Sequence, residues 1–112
     1  MRNYEGGLSL DEVIEILKRM PSNGVPAEGF SRPHSYRGYY DTLAFEPTEG
    51  VTFSEMLACA EGAKGALLEG WKGGMYPMDG DTETYLAERG DIGDPITPSL
   101  LRLMLKSAQR RK

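Results

Sequence analysis

The chain has very few of the residues from which most catalytic and metal sites are built. Of its 112 residues one is cysteine, one is histidine and one is tryptophan. A single cysteine, Cys59, excludes an intrachain disulfide and any cysteine-rich zinc site. It falls inside a helical pattern, where cysteine behaves as a small buried apolar residue. One histidine, His34, cannot form a histidine metal triad, and H-E-x-x-H, G-x-S-x-G and G-x-x-x-x-G-K-S/T are all absent. No catalytic set, no metal and no cofactor follow from residue types. Long apolar runs are missing too. No stretch approaches the roughly 18 apolar residues of a membrane span, and the first residues have no apolar signal-peptide core. The expectation is a soluble intracellular protein without membrane contact. Positive charge is in deficit, with 13 Lys and Arg against 17 Asp and Glu and a net charge of −4. A general nucleic-acid binder would carry a basic face. The one basic run, Gln109–Lys112, reads as an exposed end.

What is present suits one folded domain over residues 1–112. Apolar content of 39% and charged content of 27% are ordinary for a chain that buries a core. Fourteen glycines predict many turns and short elements.

The punctuation along the chain is clear at three places. Ser9 with Glu12 forms a capping box, and Leu10, Val13, Ile14 and Leu17 give the helix behind it one apolar face, with Pro21 as a stop. Thr52 with Glu55 forms a second box for a helix running to about Leu68, with Gly70 as its C′ residue. Thr97 followed by Pro98 opens a third helix, with an extended element as the alternative for this C-terminal region. Between them, Ser35–Tyr40 and Leu43–Glu46 read as strands, and Pro33 pushes Arg32 toward an extended conformation. Gly74–Met78 and Thr84–Glu88 read as a hairpin turned at Asp79-Gly80. The class is α+β: a small, mostly antiparallel sheet flanked by two or three helices, in the order α-β(β)-α-β-β-α.

One stretch concentrates bases, rings and kinks: Gly29–Pro47, GFSRPHSYRGYYDTLAFEP. Arg32 and Arg37 offer guanidinium forks suited to phosphate or carboxylate. Tyr36, Tyr39 and Tyr40 offer ring faces and hydroxyls, and His34 can hydrogen-bond a base or a phosphate. A second segment, GWKGG at Gly70–Gly74, sets Trp71 and Lys72 beside Gly73, where backbone amides can form an anion concavity. The candidate ligand-binding set is therefore Arg32, His34, Tyr36, Arg37, Tyr39, Trp71, Lys72 and Gly73. The alternative is structural: tyrosines as cross-strand packing, arginines as solvated charges, and Lys72 answering a helix dipole. The acidic run Asp79–Glu83 lacks the closing glutamate of a calcium loop, since Gly90 stands at that position, and reads as a solvated turn.

The segments P-H-S-Y-R-G, L-A-F-E-P and G-W-K-G-G together resemble a family of small proteins common in tailed bacteriophages, especially those of actinobacteria. The resemblance covers roughly Gly29 to Leu105. It implies a phage or prophage origin, hence the cytoplasm of an infected bacterium, and transfers no residue role. With that origin, the residue inventory suggests a non-catalytic sponge for a small anionic nucleotide-type ligand, such as a cyclic-nucleotide or cyclic-ADP-ribose-type immune signal, acting as a homo-oligomer. A protein–protein inhibitor of a host defence complex (anti-CRISPR type or DNA mimic) is the alternative, and a small nucleotide-modifying enzyme is the third reading.

Overall fold

A computed structural model describes residues 7–37, 42–70 and 73–110. It has the α+β architecture expected. Helix α1 spans Leu10–Lys18 and opens on the Ser9 capping box, in which the Glu12 amide donates to Ser9 Oγ and the Ser9 amide to Glu12 Oε1. Its four apolar residues Leu10, Val13, Ile14 and Leu17 are all buried. Helix α2, Phe53–Ala63, opens on the matching Thr52–Glu55 box. Helix α3, Pro98–Ser107, is capped by Thr97 and buries Leu101 and Met104.

The α2 boundary corrects the expectation of a helix to Leu68. Lys64 leaves helical geometry and Gly65 takes φ of +85°, the left-handed conformation of a C′ residue. The Gly65 amide then donates to Met78 O and the Met78 amide to Ala66 O. Leu67–Glu69 becomes an extended strand, β4, and pairs antiparallel with β5, Met75–Pro77. Gly70 is consequently part of a hairpin and not a helix terminus, and Lys72, considered as answering a helix dipole, lies outside the described residues.

The main sheet has four strands. Strand β2 (Gly29–Ser35) pairs antiparallel with β3 (Leu43–Thr48), which pairs parallel with β6 (Thr84–Leu86), which pairs antiparallel with β7 (Asp94–Pro95). Two short segments, β1 (Gly24–Val25) and β8 (Gln109–Arg110), form a separate ribbon. The parallel β3–β6 pair overturns the expected hairpin between the segments flanking Asp79-Gly80. The reason is local. Asp79–Thr82 closes on itself, with the Asp79 amide bonded to Thr82 Oγ1 and the Asp81 amide to Asp79 Oδ1. This turn docks on the start of α1, where Leu10 and Asp11 amides donate to Thr82 O and Gly80 O. The following strand is thereby delivered to β3.

Strand β2 also differs in span from the first strand expected. It covers Gly29–Ser35, so that of the predicted Ser35–Tyr40 only Ser35 belongs to it, and Tyr36 follows its end. Gly38, Tyr39, Tyr40 and Asp41 lie outside the described residues. A bulge falls between Ser31 and Pro33, and Arg32, expected to be extended, has φ of +48°. Pro33 is accommodated because β2 is an edge strand.

Both faces of this sheet are covered. Phe30, Leu43 and Phe45 join Val13, Leu17, Phe53 and Met56 in the main core, with the Phe30 and Phe45 ring centroids 4.4 Å apart. On the opposite face Tyr36, Ala44, Tyr85 and Ala87 form a second, smaller cluster. Among the described residues no helix is long and apolar enough to cross a membrane.

Candidate functional site

The second sheet face carries two of the eight sequence-nominated residues, His34 and Tyr36. In the strand register His34 is opposite Ala44, Ala44 opposite Tyr85, and Tyr85 opposite Pro95, one row across all four strands. Because side chains alternate between faces, His34 shares the side of Ala44 and Tyr85, while its neighbours Pro33 and Ser35 pair with the core residues Phe45 and Leu43.

His34 is 4% exposed. Its Nδ1 lies 3.1 Å from the carbonyl oxygen of Arg32. Its Nε2 is fully buried and has no hydrogen-bond partner among the described residues.

Tyr36 stacks on Tyr85 with ring centroids 4.1 Å apart and planes within 4°. Its hydroxyl donates to Gly93 O (3.1 Å) and accepts from Gly93 N (3.2 Å). One ring face and the hydroxyl are thus already engaged, and Tyr36 is a packed residue rather than an exposed platform. Arg37 is exposed and its Nη1 donates to Gly90 O at 2.8 Å. Tyr36 and Arg37 therefore tie the end of β2 to the 90–93 loop. Arg32 projects outward from the bulge, its side chain 78% exposed and its Nη1 3.9 Å from Glu46 Oε1. At that separation and exposure the pair contributes little to stability and leaves the guanidinium solvent-facing.

The second nominated segment belongs to a different sheet. Gly73 has φ of +95° in the turn between β4 and β5, its amide bonded to Gly70 O, while the Gly70 amide donates to Gly74 O. Trp71, Lys72 and Tyr39 lie outside the described residues.

Sequence reasoning passed over Tyr85, Ala44, Gly90 and Gly93. Their roles come from the parallel β3–β6 pairing. The only signal in the sequence was an aromatic residue in the Thr84–Glu88 strand. Glu46, which entered the sequence reading only as the end of a predicted strand, lies beside Arg32.

Four hollows lie elsewhere, and none of the four is lined by Arg32, His34, Tyr36 or Arg37. One of about 470 Å³ sits between α1 and α2, lined by Asp11, Glu15, Lys18, Glu61, Lys64 and Ile14. Its charges are mixed, and Lys64 Nζ donates to Asp11 Oδ1 at 2.8 Å. That hydrogen bond, with the attraction of the same carboxylate, raises the Lys64 pKa. Among the described residues no group of three or more His, Cys, Asp or Glu is placed to hold a metal ion.

No family model, curated protein or solved structure matches the chain.

Proposed function

We propose that the protein is a non-catalytic binding protein that captures a small anionic, nucleotide-type ligand on its second sheet face. The observation that carries this reading is the buried Nε2 of His34. A buried polar atom left without a partner costs about 1–3 kcal/mol, which a fold retains where the group has work to do. Arg32 and Arg37 flank it along the chain and supply the positive charge that phosphate requires. The Tyr36–Tyr85 pair supplies an aromatic wall beside it.

With the phage origin that the motif resemblance implies, the ligand is a cyclic-nucleotide or cyclic-ADP-ribose-type signal of bacterial immunity, and sequestration alone is the activity. Since His34 is 4% exposed, a ligand reaches Nε2 only by displacing part of what covers it.

The test is a thermal-shift screen of the full chain against cyclic mononucleotides, cyclic dinucleotides, cyclic trinucleotides and cyclic ADP-ribose isomers. Binding at a hundredfold excess over Kd stabilises by about 2.7 kcal/mol and is readily seen. A flat response to the whole panel ends the proposal. Mass spectrometry of the recovered ligand separates capture from turnover, since a sponge returns it unchanged.

A further inference from the structure

We infer that His34 is locked with its proton on Nδ1 and presents Nε2 as a hydrogen-bond acceptor, so that it selects a ligand bearing an N–H or O–H donor rather than contacting a phosphate. The second half of this inference rests on the ligand-binding reading above; the first half stands without it.

The Nδ1 contact decides the tautomer. A carbonyl oxygen only accepts, so at 3.1 Å from Arg32 O the ring nitrogen must be the donor. In a neutral imidazole the other nitrogen is then a bare acceptor, and that nitrogen is the buried, unpartnered one. The backbone is built to hold this arrangement. Arg32 is the extra residue of the bulge between Ser31 and Pro33, and its φ of +48° is a conformation that non-glycine residues rarely adopt. The bulge takes Arg32 out of the β2–β3 pairing and leaves its carbonyl to the imidazole two residues on. Strain of this kind persists where the surroundings over-determine it and clusters at binding sites.

The consequence for specificity follows from donor inventories. A phosphodiester carries no hydrogen-bond donor, so it cannot satisfy Nε2; phosphates fall to Arg32 and Arg37 instead. The exocyclic amino group of adenine or cytosine is a donor and fits. His34 is thus a specificity-determining residue for the base edge.

The chain's single histidine makes the tautomer directly measurable. Long-range proton–nitrogen correlation on the uniformly labelled full-length protein, at mildly alkaline pH, gives one imidazole pattern. We expect a protonated Nδ1 and an unprotonated Nε2. The opposite pattern, with the proton on Nε2, overturns the inference whatever binds. In the ligand arm, cyclic AMP and cyclic di-AMP are compared with analogues in which the adenine amino group is replaced by hydrogen. The expected loss is about tenfold or more in affinity, the worth of one hydrogen bond to a buried group. Equal affinity of the two overturns the assignment of Nε2 to the base edge while leaving the binding reading intact. Absence of binding by every nucleotide, with the tautomer as expected, overturns the binding reading and with it the specificity assignment.

Discussion

Tyr36 and Gly93 hold each other twice, the phenol donating to the glycine carbonyl at 3.1 Å and accepting from its amide at 3.2 Å. The two residues are 57 positions apart in the chain. This closure joins the end of an edge strand to the loop that leads into β7, and it is made by the same ring that stacks on Tyr85. Tyr36→Phe keeps the stack and strips both hydrogen bonds, leaving the Gly93 amide and carbonyl to find other partners. We expect a loss of about 1–3 kcal/mol, read as a lower denaturant midpoint at unchanged slope. An unchanged midpoint would mean that solvent replaces both bonds and that the closure is incidental.

Two glycine substitutions are expected to act in opposite directions. A Cβ on Gly93 would meet the backbone oxygen of Leu86 at 2.0 Å and the Ala87 Cβ at 2.8 Å, and backbone cannot swing aside. Gly93→Ala should therefore destabilise by about 2 kcal/mol or more. Gly62 lies within α2 with open space around its Cβ position, so Gly62→Ala should stabilise by about 0.5–1 kcal/mol through the lower backbone entropy of the unfolded chain. Thermal melts of the two variants beside the parent check both signs.

The elements that local chemistry governs were legible in the sequence, and those set by long-range pairing were not. Ser9–Glu12, Thr52–Glu55 and Thr97-Pro98 mark helix starts because an amide needs a partner within three residues, and each is found at its expected place. The Asp79-Gly80 turn signal was real, yet it reports only that the chain turns. What it turns toward depends on the start of α1, whose amides capture Thr82 O and Gly80 O. The same limit applied to the site. Arg32, His34, Tyr36 and Arg37 stood out as a cluster of types, whereas Tyr85 and Gly93 joined them only through the β3–β6 register. Nor could spacing reveal that Arg32 sits in a bulge, since the residue before proline is ordinarily extended.

The ion pair between Lys64 and Asp11 joins α2's end to α1's first turn and is open to solvent. The Asp11 hydrogen bond and charge raise the lysine pKa above its ordinary 10.5. A lysine raised in the folded state contributes stability that is complete below the unfolded value and vanishes as pH climbs through the folded one. Stability should accordingly fall at alkaline pH above about 10.5, the ordinary lysine value, and added salt should weaken the same contribution. In Lys64→Met this component of the pH dependence disappears. Denaturant melts of parent and variant across the alkaline range, at low and high salt, measure it; parallel curves would show that the pair contributes nothing.

Arg32 allows the cost of strain to be separated from the value of charge. Its φ of +48° burdens any residue with a side chain, by roughly 1–2 kcal/mol, and glycine carries no such penalty. Arg32→Gly should thus raise stability by about 1 kcal/mol, part of the relief being offset by the greater freedom of glycine in the unfolded chain. The weak contact with Glu46 at 3.9 Å is too exposed to reverse that sign. Arg32→Ala retains the strain and loses the guanidinium, and should be no more stable than the parent. Both variants lose the cation, so under the ligand-binding reading both bind an anionic nucleotide more weakly, by about tenfold for one charge-assisted hydrogen bond. A position at which glycine improves the fold and impairs binding is one that holds a strained arginine for the sake of a partner. If Arg32→Gly is stabilised and binds as tightly as the parent, the guanidinium plays no part in capture, and Arg37 would have to supply the charge.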